Sequence, residues 1–166
     1  MAYLLSVPVL VVVLMLQLAV FSQMPLLYGT SDLVLLALLA WSLHERSSNA
    51  WFWALVGGAL VSIISAMPFG APLIIYLVIV LGVRLVNRRM LEFPILGMLL
   101  ATIVATFFQH FSEIVVLFVD GRSFPFSQSI VLVTLPSVLL NLLFAIPMYA
   151  LINELARWVY PVEVQI

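Results

Sequence analysis

The chain has 166 residues, 66% of them apolar and only 8% charged, with a net charge of −1 and neither lysine nor cysteine. A soluble domain of this size carries roughly 25% charged residues to solvate its surface, so the composition excludes a soluble globular fold and predicts an integral membrane protein. The lack of cysteine excludes disulfides and thiolate metal sites.

Residues 2–21 form an apolar run that no Lys or Arg precedes. The run is longer than the roughly 7–15-residue apolar core of a secretory signal. It has the length of about 20 residues that crosses a bilayer, so it reads as a permanent first span over about 2–22. The second segment, about 26–43, contains Gly29-Thr30-Ser31-Asp32, where Ser31 or Asp32 can cap a helix beginning near Leu33. From Leu33 to Leu43 is only about 16 Å at 1.5 Å per residue. This span is either short or begins irregularly at Met24-Pro25.

The third segment, about 51–66, runs into the uncharged stretch VGGALVSIISAMPFGAP at 56–72. Gly58, Ser62, Ser65 and Ala66 recur at helical spacing, a small-xxx-small stripe of the kind that lets membrane helices approach closely. Two uses are open: packing against a neighbouring span of the same chain, or docking another protein's helix. Pro68 and Gly70 suit a tight turn, and Pro72 suits the start of the next helix, where a missing N–H costs little.

The fourth segment, about 72–87, ends in Arg84, Arg88 and Arg89. Such a cluster anchors a helix on anionic lipid head groups; a nucleotide or substrate site is the other use. In the fifth, about 94–119, His110 and Glu113 are three residues apart and share a helix face with Gln109 beside them. His with a carboxylate can bind metal or move protons. Glu113, however, is about 30 Å from Pro94 along the helix, so it is expected to be solvated at the far interface beside Asp120 and Arg122. A zinc site needs three or four ligands, and the one other histidine, His44, is expected at the opposite face.

The sixth segment, about 128–158, holds Pro136, Asn141 and Pro147. Pro147 leaves the Leu143 carbonyl without its helical donor and predicts a kink. Asn141, near mid-span, is expected to face the bundle interior and bond across helices. Six helices of about 20 residues use about 120 positions, leaving short connections and no folded domain outside the membrane. With six spans, Arg46, Arg84, Arg88, Arg89 and Arg157 share one side and Arg122 has the other. Arg accumulates on the cytoplasmic side, which predicts both termini there.

No H-E-x-x-H, G-x-S-x-G or phosphate-binding loop is present. No two intramembrane carboxylates that face each other can be identified, and Asp32 and Glu154 both fall near span ends. No catalytic residue, metal or cofactor is expected, and no nucleic-acid partner.

These features together resemble the bacterial rod shape-determining protein MreD family. The resemblance runs from Asp32 to Pro161. It rests on SDLVLLALLAWSL, on WALVGGALVSIISAMPFG, on the basic helix end VRLVNRRM, and on LPSVLLNLLFAIPMYALINELARW with its two prolines and central Asn141. Members often carry Asp where this chain has Ser62.

The resemblance implies an all-α bundle of six transmembrane helices with short loops, similar in fold to the S components of energy-coupling-factor transporters. It implies a non-enzymatic subunit of the rod complex, or elongasome, in the bacterial inner membrane, supporting lateral peptidoglycan synthesis and cell shape. The implied partners are the single-span scaffold MreC and, through it, the glycosyltransferase RodA, a class B penicillin-binding transpeptidase and the actin-like MreB. Candidate packing or partner contacts are Asp32, Gly58, Ser62, Ala66, Pro68, Gly70 and Asn141, with Arg84, Arg88 and Arg89 as lipid anchors. A vitamin-binding S component and an accessory subunit of another membrane complex are the alternatives.

Overall fold

The computed structural model describes residues 2–20, 23, 25–44, 49–90, 93–121 and 126–160. Five helices come first: α1 (Ala2–Ala19), α2 (Leu33–Leu43), α3 (Ala50–Ile64), α4 (Ala71–Met90) and α5 (Pro94–Val119). Then α6 (Phe126–Ser129) passes through a π-helical stretch, Ile130–Thr134, into α7 (Leu135–Val159). These last three pieces are consecutive, so the described residues form six helical rods. Outside them, Leu26 and Gly29 make one isolated antiparallel bridge.

The bundle is organised around α2. Its sequence LVLLALLAWSL is apolar on nearly every side, and all eleven residues are buried. A helix that is hydrophobic all round has no face to give to water and goes to the centre. It touches α1, α3, α4, α5 and α7. The surrounding helices then turn a second set of large apolar side chains outward, among them Leu4, Leu85, Val104 and Leu143. Soluble monomers rarely expose continuous apolar surface beyond a few hundred Å². An apolar core under an apolar exterior matches hydrocarbon surroundings.

Two stretches, Pro94–Val119 and Ile130–Val159, are long and apolar enough to cross a membrane by themselves. Tyr3–Ala19, Leu33–Leu43, Ala50–Ile64 and Ala71–Val86 are apolar but shorter. α3 stops at Ile64 because Ser65 turns to extended backbone with ψ 144°. Ala66 therefore lies outside the helix and is exposed, so it does not extend the small-residue face as its spacing suggested. The turn that follows is closed by the Ala71 N–H donating to the Pro68 carbonyl at 3.1 Å. Gly70 has φ +90°, a conformation that glycine tolerates and side chains resist.

At the C-terminal end of α2, Trp41 stacks on Trp53 with ring centroids 3.9 Å apart. The buried Asn49 Oδ1 accepts from Trp41 Nε1 at 3.2 Å and from the Tyr160 hydroxyl at 3.3 Å. The end of α7 is thereby tied to the α2–α3 corner.

Candidate functional site

The N-terminal end of α2 sets an unusual problem. A helix that starts inside an apolar bundle leaves its first N–H groups without partners and without water. Here side chains replace the missing turn. Asp32 is the N-cap, and its Oδ1 accepts from the Leu35 N–H at 2.9 Å. Gln17 Oε1 of α1 accepts from the Val34 N–H at 3.1 Å. Asn141 Oδ1 of α7 accepts from the Asp32 N–H at 2.8 Å.

The segment leading to Asp32 is held against the last rod in the same way. Pro136 has no N–H to offer the carbonyl four residues before it. That carbonyl, of Leu132, accepts instead from the Tyr28 N–H at 3.1 Å. The Thr30 N–H donates to Ser137 Oγ at 3.2 Å. Gly29 permits this approach: a Cβ there would stand 2.6 Å from the Ser137 nitrogen and 2.7 Å from the Val133 carbonyl oxygen. π-Helical turns are common at functional sites, and this one lies where the lead-in to α2 docks.

Asp32 also joins α4 and α5. Its Oδ2 accepts from the Tyr76 hydroxyl of α4 and from Gln109 Nε2 of α5, the latter at 2.9 Å. Gln109 Nε2 donates a second bond to Glu113 Oε1 at 3.0 Å. His110 Nδ1 lies 3.3 Å from Glu113 Oε2. Asn141 completes the network by accepting from Ser31 Oγ and donating to Thr106 Oγ1, both at 3.0 Å. Hydrogen bonds thus tie α2 to α1, α4, α5 and α7 at one level.

Two expectations change here. Glu113 is not simply solvated beside Asp120: its side chain is 28% exposed and turns to Gln109 and His110, while Arg122 lies outside the described residues. Asp32 and Glu113 do meet, through one amide, although no facing pair of carboxylates was identifiable from the sequence. The depth of Asp32 explains the miss, because capping a half-length helix puts the carboxylate inside the bundle. Tyr76 gives no sequence signal beyond one hydroxyl on an apolar helix. Gln109 and Glu113, four apart on one helix face, carry a signal that was available.

The remaining candidates separate into different places. A Cβ on Gly58 would stand 2.5 Å from Leu73 Cα, so the small face of α3 is used against this chain's own α4. Ser62 is buried with its hydroxyl unpartnered. Pro68 is exposed and Arg84 half-buried. Arg88 and Arg89 lie on the last turn of α4, and their side chains fall outside the described set. Among the described residues, no group of three or more His, Asp or Glu side chains could hold a metal ion.

What the polar network can do is mechanical. The Asp32 carboxyl receives three hydrogen bonds, from the Leu35 N–H, the Tyr76 hydroxyl and Gln109 Nε2, at the N-terminal end of α2. Asn141 uses three of its four hydrogen-bonding positions on two different segments, the lead-in to α2 and α5. Such groups fix the register of helices that apolar packing alone leaves free to slide. A family model described as rod shape-determining protein MreD matches residues 1–159. Comparison with curated proteins and with solved structures gives no match.

Proposed function

The chain belongs to the rod shape-determining protein MreD family, and from that premise we propose that it is a non-enzymatic membrane scaffold of the rod complex. In this reading all six helical rods cross the bacterial inner membrane, with both termini in the cytoplasm. The scaffold binds MreC and, through it, acts with RodA, a class B penicillin-binding transpeptidase and MreB in lateral wall synthesis.

The observation that carries the reading is the use of the polar interior. α2 is wholly buried and its N-terminus is locked by side chains from four other helices, under an exterior that hydrocarbon can solvate. α2 is too short to span a bilayer, and the segment before it completes the crossing as non-helical backbone. Such backbone is tolerated at membrane depth only when protein satisfies it, which Ser137, Asn141 and the Leu132 carbonyl do. The family supplies the cell wall; the packing supplies the rigid body.

A vitamin-binding subunit would need polar side chains free to meet a ligand near its outer face. At this end of the bundle Asp32, Tyr76 and Asn141 bond to one another and to backbone instead, which favours the scaffold. The test is purification of the tagged protein from its own membranes in mild detergent, with the accompanying proteins identified by mass spectrometry. Recovery of MreC with RodA or a transpeptidase is expected. Recovery of paired ATPases with a vitamin, or of an unrelated complex, would overturn the assignment.

A further inference from the structure

We propose that the cleft between α4 and α5 is a binding site for an anionic phospholipid, one acyl chain lying along Gly82 and the phosphate meeting Arg89 two turns on. This goes beyond the scaffold reading and rests on the orientation proposed above, which puts the end of α4 at the cytoplasmic face. The cleft has a volume of 250 Å³ and is lined entirely by apolar residues, including Val78, Gly82 and Val86 of α4 and Ala101, Val104 and Phe108 of α5. It is open to the surroundings, since Val86, Val104 and Phe108 are exposed. An apolar space offers water no partners, so hydrocarbon is its natural occupant.

Gly82 makes the cleft. Glycine in a helix interior is disfavoured by about 1 kcal/mol relative to alanine, and the other helical glycines here with close neighbours use that freedom in their own packing. A Cβ on Gly57 would touch Leu38 and Val34, and one on Gly58 would strike Leu73. At Gly82 a Cβ would meet nothing within 4 Å. The missing side chain serves no contact within the chain, yet it opens a slot.

The helical register carries the slot to positive charge. Gly82, Val86 and Arg89 stand at i, i+4 and i+7 on α4, one face of the helix. Arg88 is next to Arg89 in the last turn, Arg84 stands on the opposite face of α4, and Glu92 is the one acid in the connection that follows. Basic groups next to a crevice between membrane helices, on the side carrying anionic lipid, bind phospholipid head groups. A slot between two touching helices suits a single chain of methylenes better than a helix, whose width is about 10 Å.

The test is native mass spectrometry of the full chain in detergent, titrated with phosphatidylglycerol or with phosphatidylcholine of the same acyl chains. Tight one-to-one retention of phosphatidylglycerol is expected. Arg89→Gln should lower it about fivefold, the ratio that corresponds to about 1 kcal/mol per basic residue near the surface, and Arg88→Gln, off the face of the cleft, should lower it less. Gly82→Leu should abolish it, and Gly82→Ala, which adds one carbon to open space, should weaken it while leaving thermal unfolding level or raised. Equal retention of the two lipids would overturn the proposal. So would phosphatidylglycerol binding unaffected by both Gly82 variants, including the case where those variants instead lose a partner protein. Binding of free glycerol phosphate as tightly as of the lipid would refute the acyl-chain slot.

Discussion

Asp32 and Glu113 accept hydrogen bonds from the same nitrogen, Gln109 Nε2, at 2.9 and 3.0 Å. One amide thus couples the N-cap of the central helix to the C-terminal half of α5. Asp32 brings the partial positive charge of its helix end and the Tyr76 hydroxyl to the arrangement, and His110 sits beside Glu113. The acids are held by donors spread over three helices, so the network can form only when those helices are in register.

Asp32→Ala removes the cap of α2 and strips the Tyr76 hydroxyl and the Gln109 amide of an acceptor. Losing an N-cap costs about 1 kcal/mol, and each buried donor left unpaired costs about 1–3 kcal/mol more. A total loss of roughly 3–7 kcal/mol is expected from these contributions. Asp32→Asn keeps one acceptor oxygen and should lose less than half as much. Thermal unfolding of the detergent-solubilised variants checks the order, and equal midpoints for wild type and Asp32→Ala would remove Asp32 from the lock.

Much of this architecture is legible in the sequence because each cue is local. Ser31-Asp32 before an apolar run reads as a cap, and the short distance from Leu33 to Leu43 foretells an irregular approach to the helix. Asn141 amid aliphatic residues points inward, since an amide has little to gain from lipid. What stays hidden is pairing between distant segments. Nothing in the spacing of Tyr76 or Gln109 shows that they converge on Asp32. The end of α3 is missed for another reason: Ala66 continues the small-residue rhythm, but Ser65 has already left helical backbone, and rhythm does not register a dihedral change.

Asn141 and Thr106 form a separable part of the lock, tested by a double-mutant cycle. Interhelical hydrogen bonds in membranes are worth about 0.6–2 kcal/mol, so Asn141→Leu should cost more than that range because Ser31 and the Asp32 N–H lose their acceptor too. Thr106→Val removes one partner of the 3.0 Å bond and keeps the shape. A coupling energy of about 0.5–1.5 kcal/mol between the two changes is expected. Strict additivity would mean that the bond contributes nothing to stability.

Gly58 and Gly82 should respond oppositely to one added carbon. A Cβ at Gly58 would stand 2.5 Å from the Leu73 backbone, while one at Gly82 has open space. Gly58→Ala forces α3 and α4 apart and should cost about 1–3 kcal/mol, as overpacking does. Gly82→Ala should leave stability level or raise it by up to about 1 kcal/mol through helix propensity. Gly58→Leu should be worse still, measured as yield and thermal midpoint. A neutral Gly58→Ala would show that the two helices do not pack this closely.

Ser62 lies on the same tight face, and its consequence is less obvious. The side chain is 4% exposed and its hydroxyl has no hydrogen-bond partner. An unpaired buried hydroxyl costs about 1–3 kcal/mol, so Ser62→Ala, which removes the oxygen and keeps the volume small, should be neutral or stabilising by up to that amount. Ser62→Leu keeps the apolar character but adds bulk beside the α3–α4 contact, and should destabilise as overpacking does. The two substitutions separate polarity from size: if Ser62→Ala lowers the thermal midpoint, the hydroxyl has a partner, and packing alone does not explain a serine at this position.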